Sequence, residues 1–241
     1  MITYPKIECL YNRDKTTFQV IPTELRCPEF GLVTDWQYTE KIDGQNIRIC
    51  IQDGEISYRG RTDNAEFKGK GAVLIEFLKT HLPITKFLNV FDFPLFPGLQ
   101  PVQPEIVLFG EGYGPGIQKI GGQYRKEEPS FRLFDVNIGG VWLDWSQVEE
   151  IATKIDIKTV PVLWNETVLV GLPKDEWGLK YIIGTCGDQD EDGMSKVAYE
   201  ESGNFIQAEG IIARTKHILL NKYGQRVMWK LKFSDFREGK R

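Results

Sequence analysis

The sequence lacks most of the features that mark membrane, secreted and metal-binding proteins. No stretch of its 241 residues approaches the ~18 consecutive apolar residues of a membrane-spanning helix. The segment from Met1 to Lys6 lacks the charged-then-apolar order of a signal peptide. The four cysteines are scattered, with no pair at metal-ligand spacing. Together these absences predict a reducing, cytoplasmic setting and no membrane partner.

The usual nucleotide-binding loops are also missing. The sequence contains no glycine-rich phosphate loop of the P-loop type and no dinucleotide-binding fingerprint. The two histidines, His81 and His217, lie in no motif. If the protein uses ATP, it must therefore bind the nucleotide by another route.

Charge is unevenly distributed along the chain. The net charge of −4 argues weakly against a nucleic-acid partner. Residues 214–241, however, contain nine lysines or arginines against two acids, and such a segment can attract phosphate. An ordinary solvated surface would have the same composition. No role is assigned to the acidic stretch 188–192 or to the proline-rich segment 85–105.

Short strand-like runs dominate the secondary-structure pattern. Apolar residues make up 41% of the chain, enough for a sizeable core. Asp53-Gly54 is a hairpin turn signal after an alternating run. Strands are predicted at Asn46–Ile51, Ile106–Phe109, Phe131–Phe134, Gly210–Ala213 and Val227–Phe233.

Fewer segments have a helical pattern. Residues 65–81 place Val73, Phe77 and Leu78 at helical spacing. The run Ser146-Gln147-Val148-Glu149 resembles a capping box that opens a helix to about Ile155. A third helix is predicted over Lys174–Ile183, and a loop over Pro94–Pro104. The pattern predicts an α+β fold of antiparallel sheets flanked by helices.

The segment Glu40-Lys41-Ile42-Asp43-Gly44 contains the first candidate catalytic residue. Lysine is a nucleophile only as the free amine, and its ordinary pKa is about 10.4, so a site must disfavour the ammonium form. Neighbouring positive charge would do so. Lys-x-Asp-Gly alone is weak evidence, because lysine and Asp-Gly are common in turns.

Five further motifs follow this lysine in order. Period two places Lys230 and Lys232 on one face of a strand, with Trp229 and Leu231 on the other. Two adjacent lysines on a strand with a buried back need anionic partners, such as a triphosphate. The motifs are Arg59-Gly60-Arg61, Glu111-Gly112, Phe134-Asp135, Glu209-Gly210 and Lys230-Leu231-Lys232.

This order of motifs resembles the covalent nucleotidyltransferase superfamily of ligases and capping enzymes, over about residues 38–233. Asn46 and the run Phe109 to Gln118 are similar to the RNA ligase 2 type. The resemblance implies a ligase-type adenylyltransferase fold, unrelated to ATP-grasp. It also implies ATP-dependent joining of RNA through a lysyl-AMP intermediate on Lys41. The AMP would pass to an RNA 5′-phosphate, and a 3′-hydroxyl would displace it.

The same resemblance implies roles for the other motif residues. Lys230 and Lys232 would contact the α-phosphate and help keep Lys41 neutral. Glu111 and Glu209 would position the nucleotide and a hydrated Mg²⁺, or Mn²⁺ in its place. Glu40, next to Lys41, is also expected in the nucleotide site. Phe134 would stack on adenine, with Phe131 as the alternative.

Four more positions complete the implied site. Arg61 would meet the ribose or the acceptor 5′-phosphate, and Arg59 is the alternative for that role. Asn46 and Gln118 match positions that handle the ribose or the acceptor end. Asp43 is expected to be partly structural, fixing the turn after Lys41.

Three other functions remain open on the sequence alone. They are a DNA ligase, a GTP-using capping enzyme, and a non-catalytic nucleic-acid binding domain. The chain ends nine residues after Lys232, so we expect a single nucleotidyltransferase domain over 1–241, without a C-terminal OB-fold or helical domain. We expect a monomer.

Overall fold

The computed structural model of the protein describes residues 2–63, 65–91, 104–164, 171–186 and 192–237. Residue contacts divide the chain into two units. The first unit comprises Met1–Tyr4 and Asp43–Thr159, and the second unit comprises Pro5–Ile42 and Val160–Arg241. Each unit is therefore assembled from two separate stretches of sequence.

The described residues form thirteen strands and six α-helices, with 3₁₀ turns at Pro28–Gly31 and Phe233–Phe236. The strands are β1 (Glu8–Cys9), β2 (Tyr11–Arg13), β3 (Val20–Leu25), β4 (Trp36–Lys41), β5 (Gln45–Gln52), β6 (Glu55–Gly60), β7 (Ile106–Tyr113), β8 (Ser130–Ile138), β9 (Val141–Trp142), β10 (Lys158–Thr159), β11 (Val162–Trp164), β12 (Gly210–Thr215) and β13 (Met228–Lys232). The helices are α1 (Lys70–His81), α2 (Ile84–Leu88), α3 (Gly121–Tyr124), α4 (Trp145–Lys154), α5 (Glu176–Ile183) and α6 (Lys196–Ser202).

The second unit is built on a five-stranded sheet in the order β1-β13-β12-β4-β11, beside the separate β2–β3 hairpin. All neighbours are antiparallel except β1, which runs parallel to β13. Helix α5 packs against this sheet through its buried face. The core beneath the sheet includes Trp36 and Trp229, whose rings meet edge to face at 5.6 Å. Burying one face in this way leaves the other face available for polar side chains.

The first unit is built on a six-stranded sheet in the order β10-β8-β7-β5-β6, with β9 paired to β8. Only β10 pairs in parallel, with β8. Helices α1 and α4 pack against β8 and bury their apolar stripes, which contain Leu74, Leu78, Val148 and Ile151. The predicted α+β class with antiparallel sheets flanked by helices is confirmed.

The strand predictions hold. Each of the five predicted runs lies in, or largely overlaps, an observed strand: β5, β7, β8, β12 or β13. The Asp53-Gly54 turn joins β5 to β6, and both residues adopt left-handed backbone angles, with φ of 51° and 78°. This is the conformation that a two-residue hairpin turn requires.

The helix predictions were right in location and wrong in their boundaries. Helix α1 begins at Lys70 instead of residue 65, because Gly69 has φ 55° and ψ −121°, outside the helical region. Val73 is exposed, and Leu74 takes the core position instead. Helix α5 begins at Glu176, after Asp175 caps it by accepting a hydrogen bond from the Gly178 amide at 2.7 Å.

The capping box predicted at Ser146 is wrong by two residues. Helix α4 begins with Asp144 as its N-cap, and Gln147 closes the box by accepting from the Asp144 amide at 3.0 Å. Asp is as good an N-cap as Ser, and the earlier start buries Trp145. The loop predicted over Pro94–Pro104 falls almost entirely on residues outside the described part of the chain.

None of the described helices combines the length and apolar character needed to cross a membrane. All four cysteines, Cys9, Cys27, Cys50 and Cys186, are free thiols.

Candidate active site

Strand register brings three of the predicted site lysines onto one face of the second unit's sheet. Lys41 on β4, Gly210 on β12 and Lys232 on β13 lie directly opposite one another in consecutive strands. Lys230 lies one pleat further along β13, opposite Ile212. Directly opposed residues of antiparallel strands project to the same side. The predicted grouping of Lys41, Lys230 and Lys232 is therefore present at the level of the backbone.

The opposite face of β13 is fully buried. Trp229 and Leu231 are both 0% exposed, as the alternation in the sequence predicted. This buried back fixes the strand, because a shift of one residue would turn both lysines into the core.

Gly210 separates Lys41 from Lys232 without a side chain of its own. A Cβ at this position would lie 2.2 Å from the carbonyl oxygen of Leu231, a backbone atom that cannot move aside cheaply. Only glycine fits there. Gly210 therefore adds no side chain to the sheet surface between Lys41 and Lys232.

Glu209 is the anionic partner of this lysine pair. Its carboxylate accepts a hydrogen bond from the Lys41 ammonium at 2.6 Å and also pairs with Lys232. All three side chains are partly buried, which strengthens their electrostatic interactions relative to exposed pairs. The resemblance placed Glu209 in the same site as Lys41, but as a ligand of the nucleotide and the metal, so the direct ion pair between the two residues was not predicted. One signal for this pair was present in the sequence, since Glu209 immediately precedes Gly210. Gly210 lies opposite Lys41, so the residue before it is brought close to Lys41.

Lys230 is in a different position from the other two lysines. Burial, followed by repulsion from Lys41 and from Lys232, holds the pKa of Lys230 below its ordinary value of 10.5. Lys230 forms no ion pair with any residue in the described part of the chain. It is thus the cation best placed to accept an anionic ligand.

Glu40 lies on the opposite side of β4 from Lys41 and is 1% exposed. Its carboxylate accepts hydrogen bonds from the Ser195 hydroxyl at 2.5 Å and from the Val197 amide at 3.1 Å, at the start of α6. The side chain of Glu40 thus ties β4 to α6. The nucleotide-binding role predicted for Glu40 remains a prediction.

In the first unit, Asn46, Glu111 and Arg132 lie opposite one another on β5, β7 and β8. The oxygen Oδ1 of Asn46 is buried and has no hydrogen-bond partner among the described residues. A Cβ at Gly44 would lie 2.7 Å from Cγ of Glu111, so the Asp-Gly turn passes close to this carboxylate. The backbone amide of Asp43 donates to the Tyr124 hydroxyl at 3.1 Å, and the structural role predicted for Asp43 remains a prediction.

Phe134 lies at an irregularity where β8 carries one more residue than β7. Its ring is 9% exposed and meets the Tyr4 ring edge to face at 5.0 Å. The alternative, Phe131, is 6% exposed, and its ring fills the space over Gly110. Both rings contribute to packing, and the adenine role predicted for Phe134 remains a prediction.

The three residues predicted to handle the acceptor end also lie in the first unit. Arg59 is half-buried on β6, with its Nε 3.4 Å from the Ser57 hydroxyl. Arg61 is exposed just after this strand. Gln118 is exposed after β7 and has a left-handed backbone, with φ 54°. The acceptor-end roles predicted for Arg59, Arg61 and Gln118 remain predictions.

Comparison with known proteins identifies a family for the chain. The family model described as RNA ligase matches residues 34–232. This range contains every predicted site residue. No curated protein sequence matches the chain.

Solved structures of a Naegleria gruberi RNA ligase have a similar fold. A mutant with ATP and Mn has a TM-score of 0.60 and 18% identity, over 96% of this chain and 56% of that one. The same ligase with PPi has a TM-score of 0.58 and 17% identity, over 95% and 61%. A mutant with AMP and Mn has a TM-score of 0.55 and 16% identity, over 85% and 51%. The present chain thus spans between half and three-fifths of these relatives.

Proposed function

Because this chain belongs to the RNA ligase family, we propose that it joins RNA ends with ATP through a lysyl-AMP intermediate on Lys41. The proposal depends on one observation: Lys41, Lys230 and Lys232 lie beside Glu209 on one face of the five-stranded sheet of the second unit. Transfer of a nucleotidyl group to lysine requires an amine, cations for the phosphate oxygens and control of the amine's proton.

The first step requires Lys41 to lose a proton. Glu209, 2.6 Å from its Nζ, stabilises the ammonium form. Attack needs the free amine, so the ammonium group first releases a proton to water. Lys230 and Lys232, on the same face, supply the neighbouring positive charge that would favour this release. The amine then forms a bond to the α-phosphorus, and the bond to the β-phosphate oxygen breaks. Pyrophosphate leaves with that electron pair, and the nitrogen gives up a second proton to water.

Glu209 fits the donor preference of Mg²⁺ or Mn²⁺. Mg²⁺ takes one or two carboxylates, keeps several waters and binds substrate phosphates, so it needs no dedicated protein cage. The described residues contain no cluster of three or more metal-ligating side chains. A hydrated metal ion bound by Glu209 would compete with Lys41 for this carboxylate. When bound, the metal adds positive charge at the reacting phosphate. Glu111 is the second proposed ligand.

The remaining roles follow the sequence predictions. We assign adenine stacking to Phe134 and ribose contacts to Asn46 and Arg61. The acceptor end is assigned to Arg59, Arg61 and Gln118. AMP would pass from Lys41 to an RNA 5′-phosphate, and a 3′-hydroxyl would then displace AMP. The buried Oδ1 of Asn46, which lacks a partner among the described residues, supports a polar ligand at that position. We propose a cytoplasmic monomer, and the free cysteines support a reducing setting.

Labelling with ATP tests the covalent step. The wild-type protein, incubated with α-labelled ATP and Mg²⁺, is expected to carry label through denaturing electrophoresis and to lose it in acid, because a phosphoramide is acid-labile. Lys41→Ala should be unlabelled, whereas Lys174→Ala, which removes an exposed lysine of the same unit, should label normally. An unlabelled wild-type band would contradict the proposal and favour a non-catalytic binding domain. Label from GTP alone would favour a capping enzyme.

Matched nicks test the substrate. Duplexes that differ only in the 2′-hydroxyls flanking a nick should be sealed when RNA supplies the ends and poorly when DNA supplies them. Equal sealing of the all-DNA nick would identify a DNA ligase instead.

A further inference from the structure

A cavity of about 760 Å³ lies beside the lysine face, within the second unit. Its walls come from β1, the β2–β3 hairpin with its turn, and β13. We call it the hairpin cavity. Lys230 lines this cavity and is also one of the lysines proposed to contact the α-phosphate, so the two sites adjoin. None of the motifs in the sequence analysis includes its other lining residues.

The hairpin cavity has an excess of positive charge. Five cationic side chains line it against three carboxylates, Glu8, Asp14 and Glu24, and one of the five, Arg13, also pairs with Asp235 from outside the lining. Glu8 already pairs with two of the cations, each at 3.4 Å. Asp14 accepts from the backbone amides of Thr16 and Thr17 at 2.8 and 2.7 Å. The cations are Lys6, Arg13, Lys15, Arg26 and Lys230. A concave surface with this balance attracts anions.

Two of these cations are available to a ligand. Lys230 has no ion pair within the described part of the chain, and neither has Lys15, which is exposed at the turn of the hairpin. Arg26 is half exposed and is held to Glu8 and Asn12 by contacts of 3.4 and 3.3 Å, which a stronger anion can replace. A highly charged anion could form ion pairs with Lys15, Arg26 and Lys230 together.

The order of strands gives this cavity a direction relative to Lys41. Along the lysine face, Lys41 on β4 is followed by Gly210 on β12 and by Lys232 and Lys230 on β13. Cys9 on β1, opposite Lys230, comes next and lines the cavity. Strands lie about 4.8 Å apart, so the cavity is on the far side of the two β13 lysines from the nucleophile.

We propose that the hairpin cavity binds the β- and γ-phosphates of ATP and holds pyrophosphate as it leaves. The proposal rests on the function proposed above. In a phosphoryl transfer the attacking and leaving groups lie roughly in line, on opposite sides of the phosphorus. With Lys41 attacking from β4 and the α-phosphate over Gly210 and Lys232, the leaving group points towards β1. The cavity supplies cations at that position.

The test is calorimetric titration of inorganic pyrophosphate, with Mg²⁺ present, into three proteins. These are the wild type, the cavity double variant Lys15→Ala with Arg26→Ala, and a control double variant Lys174→Ala with Lys222→Ala. All substituted residues are exposed or half exposed in the second unit, and both doubles remove two positive charges. Loss of two charge-assisted contacts should weaken pyrophosphate binding at least about tenfold in the cavity double. The control double should bind within about twofold of the wild type.

Equal pyrophosphate affinity in the two doubles would overturn the proposal. So would a loss of affinity for a 5′-phosphorylated oligonucleotide with pyrophosphate affinity unchanged, since the cavity would then hold an RNA phosphate. Titration needs no catalysis, so it remains decisive even if wild-type protein takes no label from ATP and the proposed function fails.

An enzymatic arm links the cavity to the reaction. Pyrophosphate should release labelled AMP from the wild-type adenylylated protein, and at least about tenfold more slowly from the cavity double. Sealing of a pre-adenylylated RNA needs no pyrophosphate site and should be unchanged. If both reactions slow equally, the cavity is not specific for the leaving group.

Discussion

Each of the three site lysines has its own electrostatic environment. Lys41 and Lys232 share the carboxylate of Glu209, whereas Lys230 forms no ion pair within the described part of the chain and is influenced by the charges of Lys41, Lys232 and Asp235. One directly paired carboxylate cannot fully compensate three ammonium groups, so the cluster is poised to take up an anion. The imbalance is chemically useful because it is relieved when a phosphate arrives.

The lowered pKa of Lys230 has a consequence for stability. Burial and the two neighbouring lysines hold its pKa below 10.5, so the folded protein releases this proton at a lower pH than the unfolded chain does. Over that interval the unfolded state binds more protons, and the contribution of Lys230 to the free energy of unfolding rises with pH. The rise is complete once the pH exceeds 10.5.

Substitution of Lys230 by Met should remove this pH dependence. Denaturant unfolding from neutral pH to about 10 should show the wild-type protein gaining stability relative to Lys230→Met as pH rises. Lys174→Met, at an exposed position, should give a curve parallel to that of the wild type. Parallel curves for wild type and Lys230→Met would mean that neither burial nor the neighbouring lysines lower the pKa of Lys230 in the folded protein.

At the scale of residues, the sequence predicted identities better than contacts. Period two placed Lys230 and Lys232 on one face, and this holds because Trp229 and Leu231 bury the other. The Lys41–Glu209 pair was missed because it joins residues 168 positions apart, and only the pairing of β4 with β12 brings them together. Local pattern carries no information on such pairings.

At the scale of elements, α6 and β4 stabilise one another through a buried carboxylate. Ser195 caps α6 by accepting from the Ala198 amide at 3.1 Å, and its hydroxyl also donates to Glu40. Glu40 immediately precedes Lys41, so the start of α6 anchors the end of the strand that carries the nucleophile. Neither α6 nor its cap was predicted from the sequence, because the seven-residue helix is too short to show a clear apolar period.

Ser195→Ala should test this anchor. Losing an N-cap and a hydrogen bond to a buried carboxylate should together cost about 2 kcal/mol in the free energy of unfolding. Ser202→Ala, at the other end of α6, removes only a bond to the Ala198 carbonyl and should cost less than about 0.5 kcal/mol. Denaturant unfolding measures both. If Ser195→Ala and Ser202→Ala had equal free energies of unfolding, Ser195 would not stabilise the position of Glu40.

At the scale of the whole molecule, the six motifs are divided between two units. The second unit carries Lys41, Glu209, Lys230 and Lys232, whereas the first carries Asn46, Glu111 and Phe134. The order of motifs predicted the family, and the strand and helix patterns predicted the α+β class, because both depend on residue type and spacing. The return of residues 160–241 to the unit that contains residues 5–42 could not be predicted, since it depends on long-range strand pairing.

The central claim is that Lys41 forms the bond to AMP, and peptide mapping by mass spectrometry tests it most directly. Wild-type protein treated with ATP and Mg²⁺ at neutral pH should gain the mass of one AMP group, located on the peptide that contains Lys41. Lys41→Ala should gain none. AMP on any other residue, or an unchanged mass of a folded wild-type protein, would contradict the account.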